Sequence, residues 1–177
     1  LVVVPDFGNG FLSQNMVDIL CDKARFLAVN TQLNSGNRGY HVINRYSRAD
    51  FISLNEPEIR LATHNRHDSL ESIMEKVSEN IQARWVAVTR GTKGAIILDR
   101  ECNKFFEVPS LSTKVVDRIG AGDTFLSIAS LCLKDGLSAE IATFLGSAAA
   151  ALSVGKVCNR DPVSSVELSS YVTTLLK

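Results

Sequence analysis

Short apolar runs rich in β-branched residues alternate with stretches of helical periodicity along nearly the whole chain. That alternation restricts the fold to βαβ units, a mostly parallel sheet with helices on both faces. Leu1 to Val4 is the first expected strand, with Pro5 as its stop. Ser13 is placed to cap a helix that carries Met16, Ile19 and Leu20 on one face. Strands are expected over Phe26 to Val29 and Phe51 to Leu54. A helix follows over Asp68 to Ile81, capped by Asp68, with Leu70, Ile73, Met74, Val77 and Ile81 facing the core. The period then shortens to two over Trp85 to Val88, Ala95 to Leu98 and Lys104 to Val108. The connections there are too short for crossover helices, so part of the sheet is expected to be antiparallel. Asp123 to Lys134 reads as a buried helix ended by Gly136. Ser138 opens the next helix, with Ile141, Leu145, Ala148, Ala149 and Leu152 inward. Ser164 or Ser165 opens a last surface helix.

The chain of 177 residues supports one core, and no internal repeat or low-complexity tract divides it. Its 19 basic and 19 acidic residues cancel, and no basic stripe interleaves with aromatics, which argues against a nucleic-acid partner. No apolar run reaches the roughly 20 residues needed to cross a bilayer. Cys21, Cys102, Cys132 and Cys158 are scattered without C-x-x-C spacing. Neither a zinc site nor a disulfide framework is expected, and free thiols point to the cytoplasm. His41, His64 and His67 lack Cys or acidic partners at ligand spacing, and His64 and His67 are expected on exposed loops. The opening Leu-Val-Val-Val-Pro has neither Met nor signal-peptide character. The chain is therefore expected to begin inside a domain, truncated on its N-terminal side.

The most informative string is Asp117-Arg118-Ile119-Gly120-Ala121-Gly122-Asp123-Thr124-Phe125. Small residues at the entry to a helix let a ligand approach the backbone, and the first amides of a helix lack internal partners. Such a turn binds anions. Asp123 would repel a resting phosphate but could accept a proton from a hydroxyl that attacks one, with the Gly120, Ala121 and Gly122 amides on the phosphoryl oxygens. Taken alone, the same string is a tight turn with Asp123 as the helix cap. A dinucleotide fingerprint is excluded because the third glycine is missing, and a Walker loop because no G-K-[ST] follows.

Other segments are weaker by themselves. Asn55-Glu56-Pro57-Glu58 is equally a helix capping box. Thr89-Arg90-Gly91-Thr92-Lys93-Gly94 is equally a hairpin turn. The alanine-rich segment Gly146 to Val154, with Ser147, is equally a helix that packs through small residues.

Together these strings resemble the ribokinase/PfkB family of carbohydrate kinases. The first matches its D-x-x-G-A-G-D-x-F signature. Asn55 to Glu58 matches N-x-x-E, Thr89 to Gly94 matches T-x-G-x-x-G, and Asp6-Phe7-Gly8-Asn9-Gly10 is similar to D-Y-x-K-G. Within the family the likeness is greatest to the heptose-phosphate kinase part of bifunctional ADP-heptose synthases. The resemblance implies a ribokinase-like α/β fold, with residues 1–177 forming the C-terminal, nucleotide-binding and catalytic portion of a single kinase domain. It implies ATP as co-substrate and a sugar or sugar phosphate as acceptor. Asp123 would be the base and Gly120, Ala121 and Gly122 the anion hole. Thr89, Gly91, Gly94, Asn55 and Ser147 would lie at the nucleotide, Asp6, Gly8 and Asp117 at the substrate, and Glu58 at the water shell of Mg²⁺. A homodimer and a fused nucleotidyltransferase domain are the implied protein partners. Missing first strands would leave a sheet edge open, so a fragment of this extent is expected to self-associate.

Some positions depart from the family pattern. Asn9 replaces a common lysine, and Asn30-Thr31-Gln32 stands where heptose kinases have Asp-Pro-Lys. Arg118 and Ile119 replace small polar residues. Arg38, Arg45 and Arg48 would be the cations available to compensate, though surface exposure is their ordinary fate. The lost lysines leave a second reading open: a kinase-like module that binds nucleotide or sugar with weak turnover, attached to a nucleotidyltransferase.

Overall fold

The computed structural model describes residues 1–177 except 35, 38, 113–116, 118 and 157–160. Arg38, Arg118 and Cys158, named above, lie outside the described residues. Six strands form one sheet in the order of the chain: β1 (Val2–Asp6), β2 (Leu27–Thr31), β3 (Phe51–Asn55), β4 (Trp85–Thr89), β5 (Ala95–Asp99) and β6 (Lys104–Val108). The first four are parallel, and β4, β5 and β6 are joined as an antiparallel meander. The helices are α1 (Gln14–Lys23), α2 (Glu56–Ala62), α3 (Leu70–Ile81), α4 (Ala121–Lys134), α5 (Ala139–Ser153) and α6 (Ser165–Leu175).

Alternation along the strands builds two cores. Val29, Ile52, Leu54, Val86, Val88, Ile96 and Leu98 point to one face, where α1, α2 and α3 supply Val17, Cys21, Ile59, Ile73, Met74 and Val77. Ala28, Phe51, Trp85, Ala87 and Ile97 point to the other, against Phe125, Leu126, Ala129 and Leu133 of α4 and Ala139 and Ala142 of α5. Burial on both faces is why β2 through β5 read as nearly continuous apolar runs.

Several local expectations are corrected. Pro5 lies inside β1 and pairs with Asn30. Its missing N–H costs no bond to β2, because Val2 and Asp6 bond that strand and Pro5, alternating with them, faces the other way. Helix α1 has the expected Ser13 cap but buries Val17 and Cys21, leaving Met16 and Ile19 exposed. Helix α3 is capped by Ser69 instead of Asp68, whose carboxylate pairs with Lys76 at 2.7 Å. Helix α4 is one-sided, with Leu131 half exposed, and Ile141 of α5 is likewise exposed. Helix α6 has no buried residue, as expected of a surface helix. Among the described residues no helix is long and apolar enough to cross a membrane.

Candidate functional site

The parallel strands end on one side of the sheet, where a cleft of about 770 Å³ opens. Ligands of open α/β sheets sit at these carboxyl ends, where loops leave the strands and backbone groups are free to bind. Asn30, Gln32 and Leu33 contribute from the end of β2, and Ser53 through Glu58 from β3 and α2. The turn Thr89–Gly94 follows β4, Pro109 to Ser112 follow β6, and Ile119–Asp123 enter α4. Ser147, Ala150, Ala151 and Val154 line it from α5. Asp123, Gly120, Ala121, Gly122, Thr89, Gly91, Gly94, Asn55, Glu58 and Ser147 are thus brought to one wall system, from segments far apart in sequence.

The entry to α4 separates two roles that the sequence alone leaves joined. Gly120 is the N-cap, in the left-handed region with φ 79°, and no side chain caps the helix. Asp123 sits at the third helical position, and its Oδ1 accepts a hydrogen bond from Nε2 of Gln32 at 3.1 Å. Among the described residues no group donates to Oδ2. Burial raises the proton affinity of the Asp123 carboxylate, and the Gln32 bond lowers it by less. Gly122 has helical geometry, and a Cβ there would meet nothing within 4 Å. The small residue at 122 is therefore not demanded by the chain's own packing.

Across the cleft, Asn55 and Glu58 do form the capping box of α2. The Glu58 side chain also accepts the Leu33 N–H at 3.3 Å. Its carboxyl is pushed up chiefly by burial, partly offset by the Asn55 and Leu33 amides and raised further by the charge of Asp123. Among the described residues no cluster of His, Cys, Asp and Glu is arranged to hold a metal by itself. The donors present are oxygens, as Mg²⁺ prefers, and a cation that keeps most of its waters needs only one or two carboxylates plus phosphates. The site fits such a hydrated ion.

The turn after β4 is built by Gly94. A Cβ at that position would lie 2.0 Å from the Val108 carbonyl oxygen, so only glycine lets the turn pass the exit of β6. Gly91 is needed for its φ of 58° alone.

Asp6, Gly8 and Asp117, expected at the substrate, do not line this cleft. Asp6 is 5% exposed and fully engaged: it accepts from the Gly8 N–H at 3.2 Å and the Tyr46 hydroxyl at 2.8 Å, and pairs with Arg45 and His41 at 3.1 Å each. The cluster holds the loop after β1, and Gly8 lacks a Cβ because one would strike Asn37 and the His41 ring. Asp117 shapes the turn before α4, accepting the Ile119 N–H and donating its own to Val154 O. His41 is thereby buried against an acid that sequence spacing does not reveal. Arg45 is committed to Asp6 and Arg48 to Asp50, so neither supplies the cleft with a cation.

Three cleft residues escape a reading of motifs. Among the described residues the buried side-chain polar atoms without a hydrogen-bond partner are Asn30 Oδ1, Trp85 Nε1, Arg90 Nε and Ser147 Oγ. All except that of Trp85 belong to the cleft wall. Buried polar atoms are normally satisfied, so orphans gathered at one cavity mark where a ligand would complete them. Ser147 is expected from the sequence; Asn30 and Arg90 are not, although Arg90 is a cation inside the nucleotide-turn motif. Gln32, which holds Asp123, is the third.

A four-stranded parallel sheet extended by an antiparallel meander, with helices on both faces, is the ribokinase-like α/β fold. The chain belongs to the pfkB family of carbohydrate kinases, whose profile matches residues 19–165. It is 31% identical over 176 residues to the bifunctional protein HldE of Histophilus somni and 32% identical over 174 residues to that of Pasteurella multocida. Both alignments cover 97% of this chain and 35% of the relative. The fold matches the crystal structure of a ribokinase from Thermotoga maritima with a TM-score of 0.77 at 20% identity, over 97% of this chain and 56% of that one. It matches phosphofructokinase-2 from Escherichia coli with a TM-score of 0.79 at 16% identity, over 99% and 57%. The chain thus spans about a third of the length of these curated relatives and somewhat over half of these solved ones.

Proposed function

We propose that residues 1–177 are the nucleotide-binding and catalytic portion of a single kinase domain that transfers the terminal phosphoryl group of ATP to a hydroxyl of a sugar or sugar phosphate. The observation that carries this reading is Asp123. It stands one turn inside an anion-binding helix entry, is not used as a cap, and has one carboxylate oxygen with no donor among the described residues.

Asp123 takes the proton of the acceptor hydroxyl as its oxygen attacks phosphorus. A carboxylate of raised proton affinity is the better base. The amides of Gly120, Ala121 and Gly122 hold the transferred oxygens, where helix-end donors and partial positive charge are already oriented. Thr89, Gly91 and Gly94 shape the nucleotide wall, and Asn55 and Ser147 supply polar groups to it. Arg90, whose guanidinium pairs with Glu107 at 3.1 Å, lines the same wall with its buried Nε unpartnered. A Mg²⁺ bound with ATP would supply neutralisation of phosphate charge, and Glu58 would accept hydrogen bonds from its water shell.

The likeness to HldE supports a sugar phosphate of the heptose class as acceptor and a second, fused nucleotidyltransferase domain. A cytoplasmic location agrees with the free thiols of Cys21, Cys102 and Cys132. The loss of family lysines at positions 9 and 32, which leaves fewer cations for phosphate, keeps open the second reading, a weakly active binding module. One experiment separates the two: the full-length protein is incubated with ATP, Mg²⁺ and a panel of sugar phosphates, and ADP is measured for the wild type and Asp123→Asn. The kinase reading expects kcat to fall at least about 10²-fold in the variant. Sugar-dependent ADP formation that survives the substitution removes Asp123 from the mechanism.

A further inference from the structure

Gln32 and Asp123 are separated by 91 positions in sequence, yet their side chains bond at 3.1 Å in the cleft. Gln32 is itself held from both sides. Its backbone N–H donates to Asp6 O at 3.0 Å, and its carbonyl accepts from Asn37 Nδ2 at 3.3 Å. Asn37 Nδ2 also reaches Phe7 O at 3.2 Å, which ties the loop after β1 to the end of β2. The Asp6 carboxylate, with Tyr46, Arg45 and His41 around it, keeps that loop in place. The side-chain amide of Gln32 therefore issues from a fixed backbone and meets one oxygen of Asp123 only.

Resting on the reading of Asp123 as base, we infer that Gln32 is the positioning residue of that base: it clamps Oδ1 so that Oδ2 is the atom presented to the acceptor hydroxyl. A carboxylate on a short side chain rotates about its last bond, and both oxygens exchange places unless one is held. An amide donor holds one without adding a positive charge, which would weaken the base. The cluster around Asp6 is then the support of this clamp, and that gives the buried charges beside β1 a part in the reaction without contact to substrate.

The test uses the full-length protein. Gln32→Met keeps length and loses the donor; Gln32→Glu keeps shape and replaces the donor with an acceptor. Both are expected to lower kcat about tenfold or more, with KM for ATP changed less than about threefold, because the loss is one of orientation. Two variants guard against misfolding in either one, and melting curves report the fold. The decisive measurement is the cycle with Asp123→Asn. If Gln32 acts through Asp123, Gln32→Met costs little further turnover once residue 123 is no longer a base. Full additivity of the two losses, an effect confined to KM, or unchanged kcat in a folded Gln32→Met protein overturns the inference. Failure of the base reading is distinguishable, since Asp123→Asn alone would then leave kcat intact.

Discussion

The backbone N–H of Asn55 donates to Oε2 of Glu58 at 2.8 Å, and the Glu58 N–H returns a bond to Oδ1 of Asn55 at 2.9 Å. The reciprocal pair fixes the turn from β3 into α2 and sets the Glu58 carboxylate in the cleft wall. The cap is therefore compatible with the part proposed for Glu58 at a hydrated Mg²⁺, since it aims the carboxylate.

Glu58→Gln should separate the two contributions. Glutamine can complete the capping box with its one oxygen but gives up the Leu33 N–H, so the fold is expected to hold with a loss of about 1–3 kcal/mol. Without the negative charge, the Mg²⁺ concentration needed for half-maximal activity should rise while ATP-induced thermal stabilisation persists. Asn55→Ala should lower stability by about 1 kcal/mol and leave the Mg²⁺ requirement unchanged. Thermal melts and Mg²⁺ titrations of the two variants check this, and an unfolded Glu58→Gln protein would mean that the cap is the whole of its role.

Asp6→Ala should be far more damaging to the fold. The substitution leaves the Tyr46 hydroxyl and Arg45 without their buried partner, where losing one member of such a group costs about 3–5 kcal/mol. The prediction is a large drop in melting temperature. A well-folded Asp6→Ala protein whose only defect is sugar affinity would show that Asp6 serves the substrate and not the fold.

The sheet, its two faces and the helix entry at Gly120 are legible in the sequence because each rests on local chemistry: apolar alternation, β-branched runs, and glycine before a helical pattern. The antiparallel meander is legible from its short connections. What is not legible is a helix boundary to the residue, or depends on partners distant along the chain. The sequence reading puts the cap of α3 at Asp68, but the helix starts at Leu70 and Ser69 Oγ accepts the Ser72 N–H, a one-residue shift that periodicity does not resolve. Arg45 and Tyr46, the partners of buried Asp6, come from some 40 positions away. Gln32 reads as a lost lysine, and its bond to Asp123 exists only once α4 packs beside β2.

Gly94 and Gly122 should respond to alanine in opposite ways. At Gly94 a Cβ runs into the Val108 and Pro109 backbone with φ at 84°, so Gly94→Ala should destabilise by more than about 1 kcal/mol. Gly122 is helical and open, so Gly122→Ala should leave stability unchanged or raise it by up to about 1 kcal/mol. If Gly120 to Gly122 hold the phosphoryl oxygens as proposed, the added methyl intrudes on them, and ATP-dependent turnover should fall at least about tenfold. An active Gly122→Ala enzyme would show that phosphate does not approach this turn.

Asp123→Asn carries a further prediction, about stability and pH. Two effects oppose each other at residue 123. A negative charge in the first turn of α4 is favoured by the helix, by about 0.3–1 kcal/mol. Burial disfavours the charged form, and here burial prevails, because the folded carboxyl titrates above its ordinary value of 3.8. Above that value the folded protein holds its proton more tightly than the unfolded chain does, so stability falls as pH rises through the window between 3.8 and the raised value, and stays lower beyond it. Asparagine removes this cost, keeps the Gln32 bond through its own Oδ1, and also relieves the charge that raises Glu58. The variant should therefore melt above the wild type at neutral pH, and the gap should close as pH drops below 3.8. Melting curves of both proteins between neutral and acid pH measure it. A variant that melts lower at neutral pH would mean that the helix entry stabilises the Asp123 carboxylate in the fold, which is the behaviour of a structural acid and not of a base held ready for a proton.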